Sequence, residues 1–289
     1  MTKRKKAVIL SGGTGSRLFP STISTSKQLL PVFDKPMIFY PISFSIMSNI
    51  RDVLIITNRE YLDNYKRLFG KGDNLGMDIK YKIQERPNGI AESLIIAEDF
   101  LEGEDFALFL GDNIFCGTNI QKKLESSSLN KNATIFVSQV KNPHFYGVVE
   151  FDKEFKPLRI IEKPKNYVSD LAVTGVYFYD QRAIEIAKSL KPSPRGELEI
   201  SDINDSYLKE GKLNITFLDP EEAWFDAGNH EDLLEASQYI YSLEKRTGNK
   251  FYSPEELAFL KGWITKDRIK EASNKMSNSI YGQYLKKLT

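Results

Sequence analysis

Cysteine and histidine are scarce in this 289-residue sequence, which has one cysteine, Cys116, and two histidines, His144 and His230. A single cysteine cannot close an internal disulfide or supply a multi-cysteine metal site. The histidines have neither metal-ligand spacing nor a nucleophile paired with them, so we interpret both as structural. Cys116 is predicted to pack as a small apolar side chain. This cysteine usage fits a reducing compartment, the cytoplasm.

The sequence also lacks an excess of charge and any long apolar run. Its 40 lysines and arginines against 39 acids give a net charge of +1, so no general basic field exists to hold nucleic acid. We therefore predict no nucleic acid partner. The basic residues 1–6 precede an apolar run of residues 7–10 only, which is too short for a secretory signal or a membrane span. We expect the N-terminus to be a solvated lead-in to a strand, and no membrane partner.

What the sequence does have is apolar material for a large core, with 41% hydrophobic and 12% aromatic residues. Its first half alternates strand-like and helix-like segments, which is the pattern of a parallel sheet covered by helices. Pro36 is expected to stand at the start of the first helix. The predicted strands are 7–11, 53–57, 81–84 and 106–110, and the predicted helices are 37–49, 59–69 and 91–101.

After about residue 130 the pattern becomes β-rich, with short turns that favour a hairpin or an antiparallel extension of the sheet. Predicted strands are 134–140, 148–151, 158–162, 173–179 and 213–218, with helices at 182–190 and 202–209. From residue 229 the sequence looks all-helical. Asn229 and Ser253 are predicted N-caps, since each is followed three residues later by an acid.

A glycine-rich segment follows the first predicted strand directly: Ser11-Gly12-Gly13-Thr14-Gly15-Ser16-Arg17-Leu18. Glycines let backbone N–H groups approach phosphate oxygens, and Arg17 adds a permanently charged fork. Neither the dinucleotide fingerprint nor the P-loop spacing is satisfied. The segment is therefore either a phosphate-binding loop of another kind or only a tight turn.

Further blocks lie downstream in a fixed order, and together with the glycine segment they resemble the sugar-phosphate nucleotidyltransferases over nearly the whole chain. Within that family the pattern is most similar to the glucose-1-phosphate thymidylyltransferases. The blocks are Lys27-Gln28-Leu29-Leu30-Pro31, Lys35-Pro36-Met37, Gly111-Asp112-Asn113, Tyr146-Gly147-Val148-Val149, Glu162-Lys163-Pro164, Val173-Thr174-Gly175, residues 194–200, residues 224–228 and Tyr281-Gly282-Gln283-Tyr284-Leu285.

The resemblance implies an α/β fold: a Rossmann-like three-layer sandwich with a mostly parallel mixed sheet, a β-rich sugar-binding part and a helical C-terminal tail. It implies a nucleotidyltransferase domain at 1–228, with a nucleotide-binding part at about 1–130 and a sugar-binding part at about 131–228. Residues 229–289 would form the helical region. It further implies a homotetramer with subunit contacts through that region, and feedback control by dTDP-rhamnose at a second site.

The implied reaction transfers a thymidylyl group from dTTP to glucose 1-phosphate with Mg²⁺ as cofactor. The attacking phosphate oxygen is already largely ionised near pH 7, because the second phosphate pKa is about 6, so no general base or covalent nucleophile is needed. The protein must instead neutralise and align anions. Asp112 and Asp226, each predicted to end a strand at the ligand-binding edge of the sheet, would hold the metal.

The resemblance also carries residue roles, each of which could otherwise be an ordinary surface or packing residue. Catalytic residues would be Arg17, Lys27, Asp112, Lys163 and Asp226. Nucleotide-binding residues would be Leu10, Gly12, Gly13, Thr14, Gly15, Arg17, Lys27, Gln84, Pro87, Gly89 and Asp112. Sugar-phosphate-binding residues would be Asn113, Tyr146, Gly147, Glu162, Lys163, Val173 and Arg195.

The resemblance implies that Gln84 reads the base, and its amide offers a donor and an acceptor suited to thymine or uracil. The sequence departs from the family at Ile90 and Glu92, where leucine and glutamine are usual, and at residues 219–221 and Leu260 in the second site. Three rivals stay open: a transferase for UTP or another sugar, a noncatalytic nucleotide-binding regulator, and an NAD-dependent dehydrogenase. The mismatched glycine motif disfavours the last of these.

Overall fold

The computed structural model describes residues 5–289, so most of the predicted N-terminal lead-in, residues 1–4, lies outside the described residues. The strands are β1 Lys6–Ser11, β2 Pro31–Val32, β3 Lys35–Pro36, β4 Asp52–Thr57, β5 Asp78–Ile83, β6 Phe106–Leu110, β7 Asn113–Cys116, β8 Ala133–Gln139, β9 Gly147–Phe151, β10 Pro157–Glu162, β11 Leu171–Tyr179, β12 Leu213–Phe217 and β13 Ala223–Asp226. The α-helices are α1 Phe39–Met47, α2 Leu62–Phe69, α3 Glu92–Leu101, α4 Ile120–Leu129, α5 Arg182–Ser189, α6 Ile200–Lys209, α7 His230–Thr247, α8 Pro254–Leu260, α9 Lys266–Lys275 and α10 Ile280–Lys287.

The central sheet is mixed, and its strands pair in the order β12, β8, β11, β6, β1, β4, β5. Strands β6, β1, β4 and β5 are parallel, as the alternating first half predicts. Strand β11 runs antiparallel to β6 and β8, and the antiparallel β9–β10 hairpin joins β11 through β9. The predicted antiparallel extension is therefore confirmed.

Alternating side chains of the sheet face two separate apolar layers. In β1, Ala7 and Ile9 belong to one buried cluster, while Val8 belongs to the other. The first cluster is covered by α1 and the C-terminal helices, and the second by α3, α5 and α6. This arrangement confirms the predicted three-layer α/β sandwich with a helical C-terminal part.

The C-terminal helices begin where their capping residues predict. The Asn229 side chain accepts a hydrogen bond from the Asp232 N–H at 2.9 Å, and Ser253 caps α8 in the same way. The helices pack against the sheet domain, because Ile240 and Leu285 are fully buried in the first apolar cluster. The division at residue 228 stays a prediction.

The expectation that Pro36 opens the first helix is wrong. Pro36 pairs with Pro31 in the small β2–β3 hairpin, and α1 begins only at Phe39. The reason lies in two backbone hydrogen bonds, from the N–H groups of Met37 and Ile38 to carbonyls of residues 30 and 28, which hold the chain extended past the proline.

A buried ring of four alternating charges ties the β2–β3 hairpin to the C-terminal helices. Lys35 Nζ lies 2.9 Å from both Asp34 Oδ1 and Glu244 Oε1. Lys250 Nζ lies 2.5 Å from Glu244 Oε2 and also pairs with Asp34. We call Asp34, Lys35, Glu244 and Lys250 the charge ring. Lys35 and Glu244 are 209 positions apart in the sequence, so the charge ring fixes the segment after Lys27 against the tail.

Candidate active site

The glycine-rich loop is held in shape by side chains from outside it. Gly13 and Gly15 have φ angles of 98° and 61°, in the left-handed region that favours glycine. Asn58, directly after β4, accepts from the Gly13 N–H at 3.2 Å and donates to the Gly13 carbonyl at 3.0 Å. Thr22 donates to the Gly15 carbonyl at 2.7 Å. The loop is thus preformed beside the carboxyl ends of β1 and β4.

A cavity of about 190 Å³ lies next to this loop, and we call it the first cavity. It gathers most residues predicted to bind nucleotide: Leu10, Gly12, Gly13, Lys27, Gln84, Pro87, Gly89 and Asp112. Thr14, Gly15 and Arg17 are not part of its lining. The remaining lining comes from Gln28, Ile90, Leu110 and Glu197.

The second cavity, also of about 190 Å³, adjoins the first through Ile90, Leu110 and Asp112, which line both. It gathers Asn113, Tyr146, Gly147, Glu162, Lys163 and Val173, which are the residues predicted to bind the sugar phosphate apart from Arg195. Asp226 and Arg17 line it as well. Arg17, predicted to hold the triphosphate, therefore lies on the side of the predicted sugar site.

Asp112 and Asp226 approach the shared region from different sheets. Asp112 follows β6 at the carboxyl edge of the central sheet, as predicted. Asp226 is the last residue of β13, so the prediction that it stands at the carboxyl end of a strand is confirmed, but β13 pairs with β7 in a separate two-stranded ribbon and not with the central sheet. The Ala227 N–H donates to the Asp112 carbonyl at 3.1 Å, and this contact draws the two acids together.

The pKa values of the two carboxyl groups are shifted in opposite directions. Burial would raise the pKa of Asp112, but the paired Lys27 ammonium and a hydrogen bond from Asn113 hold that pKa below its usual range. Burial and then the Asp112 charge raise the pKa of Asp226 from 3.8 to about 6. Within residues 5–289 no group donates a hydrogen bond to the Asp226 carboxyl. Two neighbouring acids, one without a donor, have the oxygen chemistry that a divalent cation needs.

The Asn113 side chain is hydrogen-bonded to Asp112 and to residues of strands β11 and β13. Its Oδ1 accepts from the Gly175 N–H at 2.9 Å and from Trp224 Nε1 at 2.6 Å, and its Nδ2 donates to Asp112 Oδ1 at 3.0 Å. The side chain is buried, so most of its hydrogen-bonding capacity is used within the protein. The structure makes Asn113 a residue that orients Asp112, which its predicted sugar contact did not suggest.

Glu162 and Lys163 are neighbouring lining residues of the second cavity. Glu162 accepts a hydrogen bond from Ser201 and one from Arg195 Nη2 at 3.3 Å, and burial raises its pKa. Lys163 has a φ of 43°, a left-handed conformation that is uncommon for a residue with a side chain. Arg195 is held outside the cavity by Glu199, at 2.7 Å from Oε2.

The segments 88–91 and 194–199 are bound to each other between the two cavities. The Leu198 N–H donates to the Asn88 carbonyl at 2.7 Å, and the Ala91 N–H donates to the Leu198 carbonyl at 3.2 Å. A Cβ on Gly89 would lie 2.3 Å from the Leu198 carbonyl oxygen, so only glycine permits this approach.

Comparison with known proteins gives this arrangement a family. A sequence model described as nucleotidyl transferase matches residues 6–242. The chain belongs to the nucleotidyl transferase family. A glucose-1-phosphate thymidylyltransferase of Neisseria meningitidis is 46% identical over 98% of this chain and 99% of its own length. Another from Mycobacterium tuberculosis is 42% identical over 98% of each chain.

Solved structures agree with the nucleotidyl transferase fold. A Bacillus anthracis protein, described as a glucose-1-phosphate thymidylyltransferase and solved with sucrose, superposes with a TM-score of 0.77 at 37% identity, covering 87% of this chain and 99% of that one. A UDP-glucose pyrophosphorylase complexed with UDP-glucose gives a TM-score of 0.74 at 22% identity, covering 83% and 99%, a likeness of fold alone. No helix within residues 5–289 has the length and apolar character to cross a membrane.

The sequence analysis did not identify several side chains of this nucleotidyl transferase site. Asn58 and Ser201 stand at a strand end and in a helix first turn, positions at which a polar residue can be an ordinary cap. Asn58 directly after a buried strand was a usable signal, because β4 neighbours β1. Glu92 was identified from the sequence only as a departure from the family. In the structure its carboxylate accepts hydrogen bonds from the side-chain amides of Gln84 and Asn88.

Proposed function

We propose that this chain transfers the thymidylyl group of dTTP to glucose 1-phosphate, giving dTDP-glucose and pyrophosphate. The observation that carries the proposal is the pair of adjoining cavities that share Asp112. One cavity lies against the glycine loop and Gln84, and the other against Glu162 and Lys163. Such a pair can hold two anionic reactants end to end.

In the proposed reaction a phosphate oxygen of the sugar phosphate forms a bond to the α-phosphorus of dTTP. The bond from that phosphorus to the bridging oxygen breaks, and pyrophosphate leaves with the electron pair. Lys163 would hold the attacking phosphate, while Lys27 and Arg17 would neutralise charge on the triphosphate. Glu162 would accept hydrogen bonds from sugar hydroxyls. Arg195 would have to leave Glu199 before it could contact a phosphate.

We propose Mg²⁺ as the cofactor, held by Asp112 and Asp226. The donor-free Asp226 carboxyl supports this assignment, as does its raised pKa, which is caused first by burial and then by the nearby Asp112 charge. Among residues 5–289 no group of three or more histidine, cysteine or acidic side chains could form a metal cage. Two carboxylates with remaining positions for phosphate and water are what magnesium favours. The bound ion would offset negative charge on the α-phosphate and the leaving pyrophosphate.

The function is tested by measuring pyrophosphate release by the purified protein with glucose 1-phosphate and each of dTTP, UTP and dCTP. We expect the highest kcat/KM with dTTP, and loss of release with EDTA that added Mg²⁺ restores. A higher kcat/KM with UTP or dCTP would reject the thymidylyl assignment. Absence of release with every triphosphate would favour the noncatalytic regulator.

Lys163→Ala is expected to raise the KM for glucose 1-phosphate by roughly 10- to 100-fold, because a charge-assisted hydrogen bond to phosphate is lost. The KM for dTTP should change less than about twofold. Lys165→Ala, which removes an exposed lysine two positions away, is the matched control. Equal effects of Lys163→Ala on both substrates would contradict the assignment.

Arg17→Ala is expected to impair dTTP use more than glucose 1-phosphate use, if Arg17 turns from Asp226 toward the triphosphate. Its position in the second cavity makes this a sharp test. Separate KM measurements decide it: an increase confined to glucose 1-phosphate would assign Arg17 to the sugar phosphate instead.

We also propose a homotetramer, with location in the cytoplasm. Exposed apolar side chains on the C-terminal helices, among them Leu234, Leu260 and Ile280, support subunit contacts there. Light scattering should give four chain masses. A monomeric mass at micromolar concentration would reject the tetramer.

A further inference from the structure

A third cavity, of about 400 Å³, lies outside the candidate active site. Each cavity of that site has about 190 Å³, and neither shares a lining residue with the third. The lining comes from the start of α1, the end of α2, the start of α8 and one face of α9. It includes neither residues 219–221 nor Leu260, where the sequence departs from the family's second site. The third cavity is thus a separate feature of the helical part, in the size range of small-molecule sites.

Part of the lining of the third cavity is apolar. Phe39 and Phe69 have ring centroids 5.7 Å apart, and Leu75 and Pro254 are buried beside them in the sequence segments that border the cavity. Leu68, at the end of α2, also lines the cavity and is 36% exposed. Because apolar surface in contact with water is unfavourable, a ligand whose body covers these side chains gains affinity.

The two acidic side chains of the lining already have partners within the protein. Glu271 pairs with Arg268 on the same helix, with 3.0 Å between Oε2 and Nη1. The Glu255 carboxyl accepts hydrogen bonds from the hydroxyls of Tyr281 and Ser253. Burial raises the pKa of Glu255, so a larger fraction of it is neutral at a given pH than for an exposed glutamate. The acids therefore offset only part of the positive charge around the cavity.

Arg67 and Lys275 are the cations of the lining that have no acidic partner. Among residues 5–289 neither forms a salt bridge, and Arg67 donates to the Asn64 amide oxygen at 3.3 Å. Each stands in the last turn of its helix, α2 or α9, where a cation offsets the helix dipole. That role explains a cation at each helix end, but it does not require both to border one apolar cavity.

We propose that the third cavity binds a small organic anion with an aromatic or branched apolar body. The apolar body would cover Phe39, Leu68 and Phe69, and Arg67 and Lys275 would hold the anionic group. Binding here is independent of the proposed reaction, because the third cavity shares no residue with the two cavities assigned to it.

The site is tested with anilinonaphthalene sulfonate, an aromatic anion whose fluorescence rises in apolar surroundings. We expect wild-type protein to bind it with a Kd of about 1–100 μM. Ala272→Trp, which places a large side chain on the cavity-lining face of α9, should raise that Kd by at least about tenfold. Asn274→Trp, at an exposed position of α9 outside the lining, is the matched control and should change the Kd by less than about twofold. An unchanged Kd in Ala272→Trp, or no binding to wild type at about 100 μM probe, overturns the proposal.

The preference for an anion is tested with phenylnaphthylamine, which has the same ring system without the sulfonate. Lys275→Gln and Arg67→Gln should each raise the Kd of the sulfonate by roughly three- to tenfold, because a charge-assisted hydrogen bond is lost. The Kd of the uncharged amine should change by less than about twofold. Lys270→Gln, at an exposed lysine of α9 outside the lining, is the control. Equal losses of affinity for the sulfonate and the amine overturn the proposal. Both substituted cations are exposed, so these variants keep the test decisive if Ala272→Trp does not fold.

Discussion

Asp226→Asn is expected to remove most turnover while making the metal-free protein more stable. Loss of one of the two carboxylates that we propose to hold the metal should reduce kcat by roughly 10²- to 10⁴-fold. The stability gain follows from the surroundings of Asp226, a buried carboxyl without a hydrogen-bond donor next to the Asp112 charge. Its pKa is raised from 3.8 to about 6, so ionisation opposes folding at neutral pH. Removing the charge should stabilise the fold by about 3 kcal/mol at pH 8.

Thermal unfolding in EDTA can check the sign of this stability change and the pH range over which it appears. An acid with a raised folded-state pKa destabilises the protein fully above about pH 6, and not at all below about pH 3.8. The difference in stability between Asp226→Asn and wild type should therefore shrink as the pH falls through this range. Asp112→Asn is the matched comparison: it should lose similar activity but gain no stability, since Lys27 loses its partner. An Asp226→Asn protein that melts below wild type at pH 8 would contradict this account.

Glu244→Ala is expected to be the most destabilising of the substitutions considered, at about 3–5 kcal/mol. The Lys35 and Glu244 side chains are only 1% and 4% exposed, and Lys250 is 6% exposed. Removing Glu244 leaves two buried ammonium groups with Asp34 as their one remaining acid in the charge ring. The Phe251 N–H also loses its acceptor, Glu244 Oε1 at 2.8 Å.

Urea unfolding, fitted with the same m value for wild type and variants, measures this loss in the free energy of unfolding. Glu235→Ala, an exposed acid on the same helix α7, should change stability by no more than about 0.5 kcal/mol. A cost for Glu244→Ala similar to that of the control would show that the charge ring contributes little. Because the charge ring holds the hairpin that follows Lys27, the surviving folded protein should also show reduced kcat.

The parts of the molecule that local sequence determines were predictable. The strands around β1, β4 and β6 follow from short apolar runs, and the caps at Asn229 and Ser253 follow from local side-chain chemistry. Most of the two cavity linings also matched the family blocks, because those blocks stand at strand ends. Strand β7 and helix α4 were missed, since residues 113–116 form a short ribbon and α4 includes three consecutive serines, Ser126–Ser128, which disfavour helix in isolation.

What could not be predicted depends on partners distant in the sequence. The local sequence made Pro36 resemble a helix start, but the hydrogen bonds from Met37 and Ile38 to the carbonyls of residues 30 and 28 keep the chain extended there. The charge ring joins residues 34–35 to residues 244 and 250, which no local pattern connects. The orientation of the Gln84 amide could be known only from its hydrogen bond to Glu92. The sheet to which the Asp226 strand belongs could be known only from its pairing with β7. These are tertiary contacts that override or extend local preference.

The hydrogen bonds between segments 88–91 and 194–199 have a consequence for how the two reactants influence each other. Gly89 and Arg195 belong to these two segments, which cannot move separately while Leu198 is hydrogen-bonded to Asn88 and Ala91. Any rearrangement that brings Arg195 to a sugar phosphate should therefore also move Gly89, which lines the cavity that we propose for the nucleotide. Thermodynamic linkage then requires the nucleotide to alter sugar-phosphate affinity by the same factor, so synergy measured in one direction sets its size in the other.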